Sequence, residues 1–186
     1  MTGGQERSHL DALLQRVANG DGHAFAEFYD ATRARVFGMV TRVLRDQGYS
    51  EETTQDVFVH VWHSAAKYDA GAGSALAWVM TMAHRRAVDR VRSEQAASQR
   101  DARYGAATAE TASDVVADSA ILRDEQRRVA DCLGGLSELQ RQCIEMAYYG
   151  GLTYAQVSER LSTSLGTVKS RMRDGLRGLR DCLGVP

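Results

Sequence analysis

"LTYAQVSERLSTSLGTVKSRMRDGLRGLR", residues 152–180, carries five basic side chains in its last fifteen positions, Lys169, Arg171, Arg173, Arg177 and Arg180, against the single acid Asp174. Its apolar spacing resolves into two helices. Tyr154, Val157 and Leu161 recur at intervals of three and four, giving a short helix one apolar face. Ser162-Thr163-Ser164 breaks the pattern, and Ser164 is placed to cap the second helix through its hydroxyl. Leu165, Val168, Met172, Leu176 and Leu179 then form a continuous stripe expected to face the core. At about 100° per residue the opposite face holds Thr167, Ser170, Asp174 and Arg177, with Arg171 and Arg173 on its flanks. A short helix, a three-residue turn and a second helix with a basic face make a helix-turn-helix. The candidate DNA contacts are Ser164, Gly166, Thr167, Lys169, Ser170, Arg171, Arg173, Asp174 and Arg177. Thr167, Ser170 and Arg171 stand where base edges are read, and Asp174 could accept from a cytosine amino group. Lys and Arg on the flanks meet phosphates. An ordinary amphipathic hairpin would carry mixed charge on that outer face.

So basic an end sits in a 186-residue chain whose formal charge is −1. Residues 1–70 hold 10 acids and 7 bases, 71–103 hold 3 and 6, 104–135 hold 6 and 3, and 136–186 hold 5 and 7. Two basic blocks separated by acidic ones imply two contacts with a polyanion and other surfaces for other partners. The single proline is the last residue, and glycines fall between apolar-periodic segments, which predicts an all-α protein. No run of 18 apolar residues and no basic-then-apolar leader is present, so a cytoplasmic location is expected. Three cysteines without a C-x-x-C spacing argue against a zinc site or a secreted disulfide framework.

Periodicity predicts helices at 8–18, 23–45, 51–67 and 74–100, and again at 120–133, 137–149, 153–161 and 165–182. Between the two sets, residues 93–120 are poor in large apolar side chains and rich in Ala, Ser, Thr and Asp. The reading is two small four-helix domains, 8–100 and 120–184, joined by a flexible linker at 101–119.

The last helix of the first domain has its own unusual face. In "GSALAWVMTMAHRRAVDRVR", Leu76, Met80, Ala83, Ala87 and Val91 form the expected buried stripe. Trp78, Arg85, Asp89 and Arg92 lie opposite, with His84 and Arg86 on the flanks. A tryptophan among arginines suits stacking of unpaired bases along a basic track; the alternative is that a helix or loop covers Trp78. Upstream, the glycines of "KYDAGAGSA" let backbone approach a ligand closely. In the preceding helix Val57, Phe58, Val61, Trp62 and Ala65 are expected inside, and Glu52, Asp56, His60, His63 and Lys67 run along another side. His60 and His63 have metal-ligand spacing but no third ligand nearby. No paired catalytic carboxylates, H-E-x-x-H, phosphate-binding glycine loop or nucleophile with a matched base appears, so no enzymatic activity and no cofactor are expected.

At these residues the chain resembles bacterial sigma-70-family factors of the extracytoplasmic-function (ECF) group. "YSEETTQDVFVHVW" resembles their region 2.2, "SALAWVMTMAHRRAVDRVR" their regions 2.3 and 2.4, and "LSELQRQCIEMAYYGGLTYAQVSERLSTSLGTVKSRMR" their region 4. Three motifs in that order, with no region 1.1 or large region 3, are specific to the group. Within it, "AYYGGLTYAQVSERL" and "TMAHRRAVDRVR" are similar to the actinobacterial sigma-K type. The resemblance implies a transcription initiation factor that joins RNA polymerase core, recognises the −35 element as duplex and opens and captures the −10 element. It assigns Glu52, Gln55 and Asp56 to the polymerase clamp, and Lys67, Tyr68, Asp69, Trp78, His84, Arg85, Arg86, Asp89 and Arg92 to −10 DNA. It also implies control by a membrane-anchored anti-sigma factor, which would hold the chain at the inner face of the membrane. Many members carry Arg-Asn where His84-Arg85 stands here, so the −10 preference does not transfer. A stand-alone helix-turn-helix regulator is the alternative; it would leave the Trp78 helix without a use.

The cysteines add one more expectation. Cys143 lies mid-helix, where a free thiol behaves as a small buried apolar group. Cys132 and Cys182 sit near helix ends in the similar strings "DCLGG" and "DCLGV". If the first and last helices of the second domain pack side by side, these two can pair in a redox-dependent disulfide that tunes an anti-sigma partner's grip. Otherwise they are two unrelated thiols.

Overall fold

Two aspartates punctuate the first half of the chain. The Asp21 carboxylate accepts the Ala24 N–H at 3.0 Å, and Asp46 accepts the Tyr49 N–H at 2.8 Å. Each starts a helix by satisfying an orphan donor of its first turn. The computed structural model describes residues 3–102 and 120–184. Its elements are α1 (Gly3–Ala18), α2 (Gly22–Leu44), α3 (Gln47–Ser64), a 3₁₀ turn (Ala65–Lys67), α4 (Ala75–Ala102), α5 (Ala120–Gly134), α6 (Glu138–Ile144) running into a π-helical turn (Glu145–Tyr149), α7 (Tyr154–Arg160) and α8 (Leu165–Leu183). No strand occurs among the described residues. α1 and α3 begin earlier than the apolar spacing predicts, because polar first turns carry no apolar signal while the Asp46 cap fixes the α3 start. Of the expected linker, 103–119 lie outside the described residues.

The chain divides into two compact units, one on each side of that stretch. In the first, α2 packs against α1, α3 and α4. Ala24, Phe28, Thr32, Val36 and Val40 recur every four residues on α2 and are fully buried. The Thr32 hydroxyl donates to the Phe28 carbonyl at 2.7 Å, so this buried polar group is satisfied. Truncating Phe28 to Ala would cost about 3–5 kcal/mol in lost burial and cavity. On α4 the buried stripe is Ala75, Val79, Ala83, Ala87 and Val88, whereas Leu76, Met80 and Val91 are only half-buried. The buried line keeps Ala83 and Ala87 of the expected stripe and takes Ala75, Val79 and Val88 in place of Leu76, Met80 and Val91. Trp62, expected inside, is 38% exposed. It lies on the helix wheel just past the arc defined by Val57, Phe58, Val61 and Ala65, and meets Phe25 edge to face at 5.3 Å.

The second unit closes around Cys143, Ile144, Val157, Val168 and Met172, with Leu133, Leu136 and Leu179 packed against them. Two capping boxes, Ser137 with Gln140 and Thr153 with Gln156, start α6 and α7. α6 crosses α8 at Gly175, where a Cβ would stand 2.9 Å from Ile144 Cδ1. That close approach centres the buried line of α8 on Val168, Met172, Gly175 and Leu179. Leu165 and Leu176, both expected in the core, are therefore 40% and 45% exposed. Cys132 and Cys182 are bonded, Cα to Cα 5.8 Å, and tie the last turn of α5 to that of α8. Cys143 is the free cysteine and is fully buried.

Candidate nucleic-acid interfaces

The first candidate is the outer face of α8. Ser164 caps the helix by accepting the Thr167 N–H at 3.1 Å, and its Oγ lies 2.8 Å from Thr167 Oγ1. The hydroxyl expected to cap is thus also tied to the neighbour expected to read a base. Gly166, Lys169, Ser170, Arg173 and Arg177 are exposed, while Thr167, Arg171 and Asp174 are half-buried. Asp174 is already engaged: Ser170 Oγ donates to it at 3.3 Å, Arg173 Nε lies at 3.2 Å and Arg177 Nη1 at 3.8 Å. A base amino group would have to compete with those contacts. Lys169 and Arg171 make no ion pair among the described residues. Arg180 extends the basic track, with Asp181 3.6 Å away.

The second candidate is a groove of about 700 Å³ in the first unit. The end of α3 supplies His60, Ser64 and Lys67; the loop 68–74 supplies Tyr68, Asp69, Ala72, Gly73 and Ser74; and α4 supplies Ala77, Trp78, Thr81, Met82, Arg85, Arg86 and Asp89. Seven of the nine residues expected to meet −10 DNA therefore converge on one groove; His84 and Arg92 are not in its lining. His84 lies round the helix from the Trp78–Arg85–Asp89 line, and Arg92 lies about one turn beyond its end. Trp78 is half-buried and tilted against the Tyr68 ring at 5.9 Å, so one edge is covered by the loop while the residue still lines the groove. Three cations, Lys67, Arg85 and Arg86, and two acids, Asp69 and Asp89, line the groove. Burial holds the His60 imidazole below its ordinary pKa, and the charges of Arg86, Lys67 and His63 push it further down. In the sequence His60 stood out for its place on the Glu52–Lys67 stripe and its spacing from His63. Thr81 and Met82 carried no signal there, because a loop 68–74 folded back on the helix cannot be read from periodicity.

A third surface lies on α3. Glu52, Gln55 and Asp56 are exposed on one face, and Val59 and Trp62, 57% and 38% exposed, continue it in apolar character. Glu52 is held by Arg90 of α4 at 3.2 Å; Arg90 also pairs with Glu94 at 3.1 Å and lies over the Tyr49 ring at 4.3 Å.

Comparison with known proteins gives two family matches, sigma-70 region 2 over residues 28–97 and sigma-70 region 4 over residues 132–181. The chain is 67% identical over 184 residues to the ECF RNA polymerase sigma factor SigK of Mycobacterium ulcerans, covering 98% of each chain. It is 66% identical over 178 residues to that of Mycobacterium bovis, covering 96% of this chain and 95% of the relative. Among solved structures it is similar to Rhodobacter sphaeroides SigE in complex with the anti-sigma ChrR, with 26% identity, 94% and 98% coverage and a TM-score of 0.46.

Proposed function

The chain belongs to the sigma-70 family, as an ECF-type RNA polymerase sigma factor, and from that premise we propose how its surfaces divide the work of initiation. It is a transcription initiation factor that binds core RNA polymerase and promoter DNA, not an enzyme and not a stand-alone regulator. The domain from about residue 8 to 100 binds core and the −10 element; residues 120–184 form the −35 domain, with 101–119 as the linker between them. The first turns of α8 enter the major groove of the −35 duplex. Thr167, Ser170 and Arg171 read bases, while Lys169, Arg173 and Arg177 meet phosphates, and Ser164 and Gly166 bring the helix start close to the backbone.

The groove between the loop 68–74 and α4 receives the −10 strand after opening. The observation that carries this reading is the convergence of Lys67, Arg85 and Arg86 around an aromatic wall of Tyr68 and Trp78. Single-stranded DNA binding needs that combination of cationic track and stacking surface. Asp69 and Asp89 line the same groove, where acceptors can meet base amino groups. His84 and Arg92 would meet the duplex flanking the opened stretch. On α3, Glu52, Gln55 and Asp56 dock on the polymerase clamp.

Control falls to an anti-sigma factor anchored in the membrane, and the Cys132–Cys182 bond would make that control sensitive to redox state. Among the described residues no helix is long and apolar enough to cross a membrane. Run-off transcription with purified core polymerase tests the whole reading. Specific transcripts should require this chain, and should disappear in a variant carrying Trp78→Ala and Arg85→Ala. Transcription that survives those changes would remove the groove from the mechanism.

A further inference from the structure

One carboxylate outside the proposed DNA contacts holds both ends of the loop that walls the groove. Asp11 of α1 is 57 residues before Tyr68 and 64 before Ala75. Its Oδ1 accepts the Tyr68 phenol at 2.7 Å, where the loop leaves the 3₁₀ turn. The same oxygen accepts the Ala75 N–H at 2.7 Å, where the loop enters α4. The phenol oxygen also lies 3.0 Å from the Gly73 carbonyl, near the exit of the loop.

Apart from the contact of Tyr68 with Gly73, the loop's own hydrogen bonds are local. Asp69 Oδ1 accepts the Gly71 N–H at 2.8 Å, and Ser74 Oγ accepts the Ala77 N–H at 3.2 Å. Neither spans the loop, whereas Asp11 reaches both of its ends from another helix. A carboxylate at an N–H of the first turn is also favoured by the dipole of α4. Burial and the Asp11 carboxylate together push the Tyr68 phenol up to about 12, consistent with a proton held firmly in that bond. With its hydroxyl fixed, the Tyr68 ring is set against Trp78.

Resting on the −10 reading above, we propose that Asp11 is a positioning residue for strand capture: it preforms the Tyr68–Trp78 wall, so that α1 belongs to the −10 site without touching DNA. Without it, ordering the loop would fall on the moment of DNA binding and would weaken capture without affecting surfaces elsewhere.

The test uses holoenzyme assembled from core polymerase and the full chain, on a promoter selected in vitro by the wild type. Asp11→Ala should lower affinity for the single-stranded −10 fragment and permanganate reactivity in the opened stretch by about tenfold. Core affinity and −35 footprint should not change. Asp11→Asn keeps an oxygen that can accept both donors and should stay within about threefold of wild type. Should Asp11→Ala not fold, Tyr68→Phe carries the test, since it removes the phenol's contacts with Asp11 and Gly73 and leaves the Ala75 cap. Opening at the wild-type level in a folded Asp11→Ala or in Tyr68→Phe would overturn the inference, as would an equal loss of core affinity or −35 binding. Trp78→Ala and Arg85→Ala separate the two failures: if they abolish opening while Asp11→Ala does not, only the role of Asp11 falls. If they too open normally, the −10 reading fails and this inference with it.

Discussion

Reducing the Cys132–Cys182 bond should loosen the second unit by an amount that its position in the fold sets. The bond joins the ends of α5 and α8 across 50 residues of sequence. In the chain-entropy model, freeing a loop of that length gives the unfolded state about 4 kcal/mol. Because every 1.4 kcal/mol is tenfold in a population, the open form should become about a thousandfold more frequent. Cys143 reports that opening directly, being fully buried in the same core. A variant with Cys132→Ser and Cys182→Ser leaves Cys143 as its single thiol, as does the oxidised wild type. Thiol modification under native conditions, with closing fast relative to labelling, then compares the two through one site. The variant should label about a thousandfold faster, and no further acceleration should follow on adding reductant. A difference below about tenfold would refute the reasoning, since α5 would then be held to α8 by packing around Leu133, Leu136 and Leu179 rather than by the bond.

Three further outcomes are expected. Arg171→Ala should cost about 1–3 kcal/mol in −35 binding and relax preference at one position in a selection experiment; a change in salt dependence alone would make it a phosphate contact. Arg85→Ala and Arg92→Ala should impair opening more than −35 duplex binding on a linear promoter, and the loss should be larger for Arg85, which lines the groove. The Tyr68 phenol, raised to about 12 by burial and by Asp11, keeps its proton in the folded chain when an unfolded tyrosine, at about 10, has lost it. Stability should therefore fall as pH rises above about 10, and Tyr68→Phe should abolish that part of the alkaline loss in denaturant titrations followed by tryptophan fluorescence.

Periodicity carries the all-α class and the helix-turn-helix because both depend on local spacing, and because Ser164 marks the start of α8 with a side chain that caps it. The buried faces were less legible. A helix wheel weights residues by hydrophobicity, yet the closest approach between helices goes where side chains are smallest. Hence Gly175 lies on the α6–α8 contact line while its neighbour Leu176 is exposed, and on α4 Ala75 and Val79 are buried where Leu76 and Met80 are only half-buried. Trp62 obeys the same logic: at the edge of its arc, it adds apolar surface beside Glu52, Gln55 and Asp56 rather than core.

The groove marks a different limit. Trp78, Arg85, Arg86 and Asp89 stood out on the helix wheel of α4, and Lys67, Tyr68 and Asp69 through the family resemblance. The residues that shape the groove could not be placed there in this way. His60 enters it from α3, and Asp11 holds its wall from α1, through contacts spanning 57 and 64 residues that no local pattern encodes. A side chain that touches the ligand keeps a chemical signature, aromatic or basic, that composition reveals. A side chain that only positions others needs just an acceptor in the right place, and Asp11 reads in sequence as one more surface acid. Sequence reasoning is thus strongest for residues that would meet DNA and weakest for the scaffold that orders them.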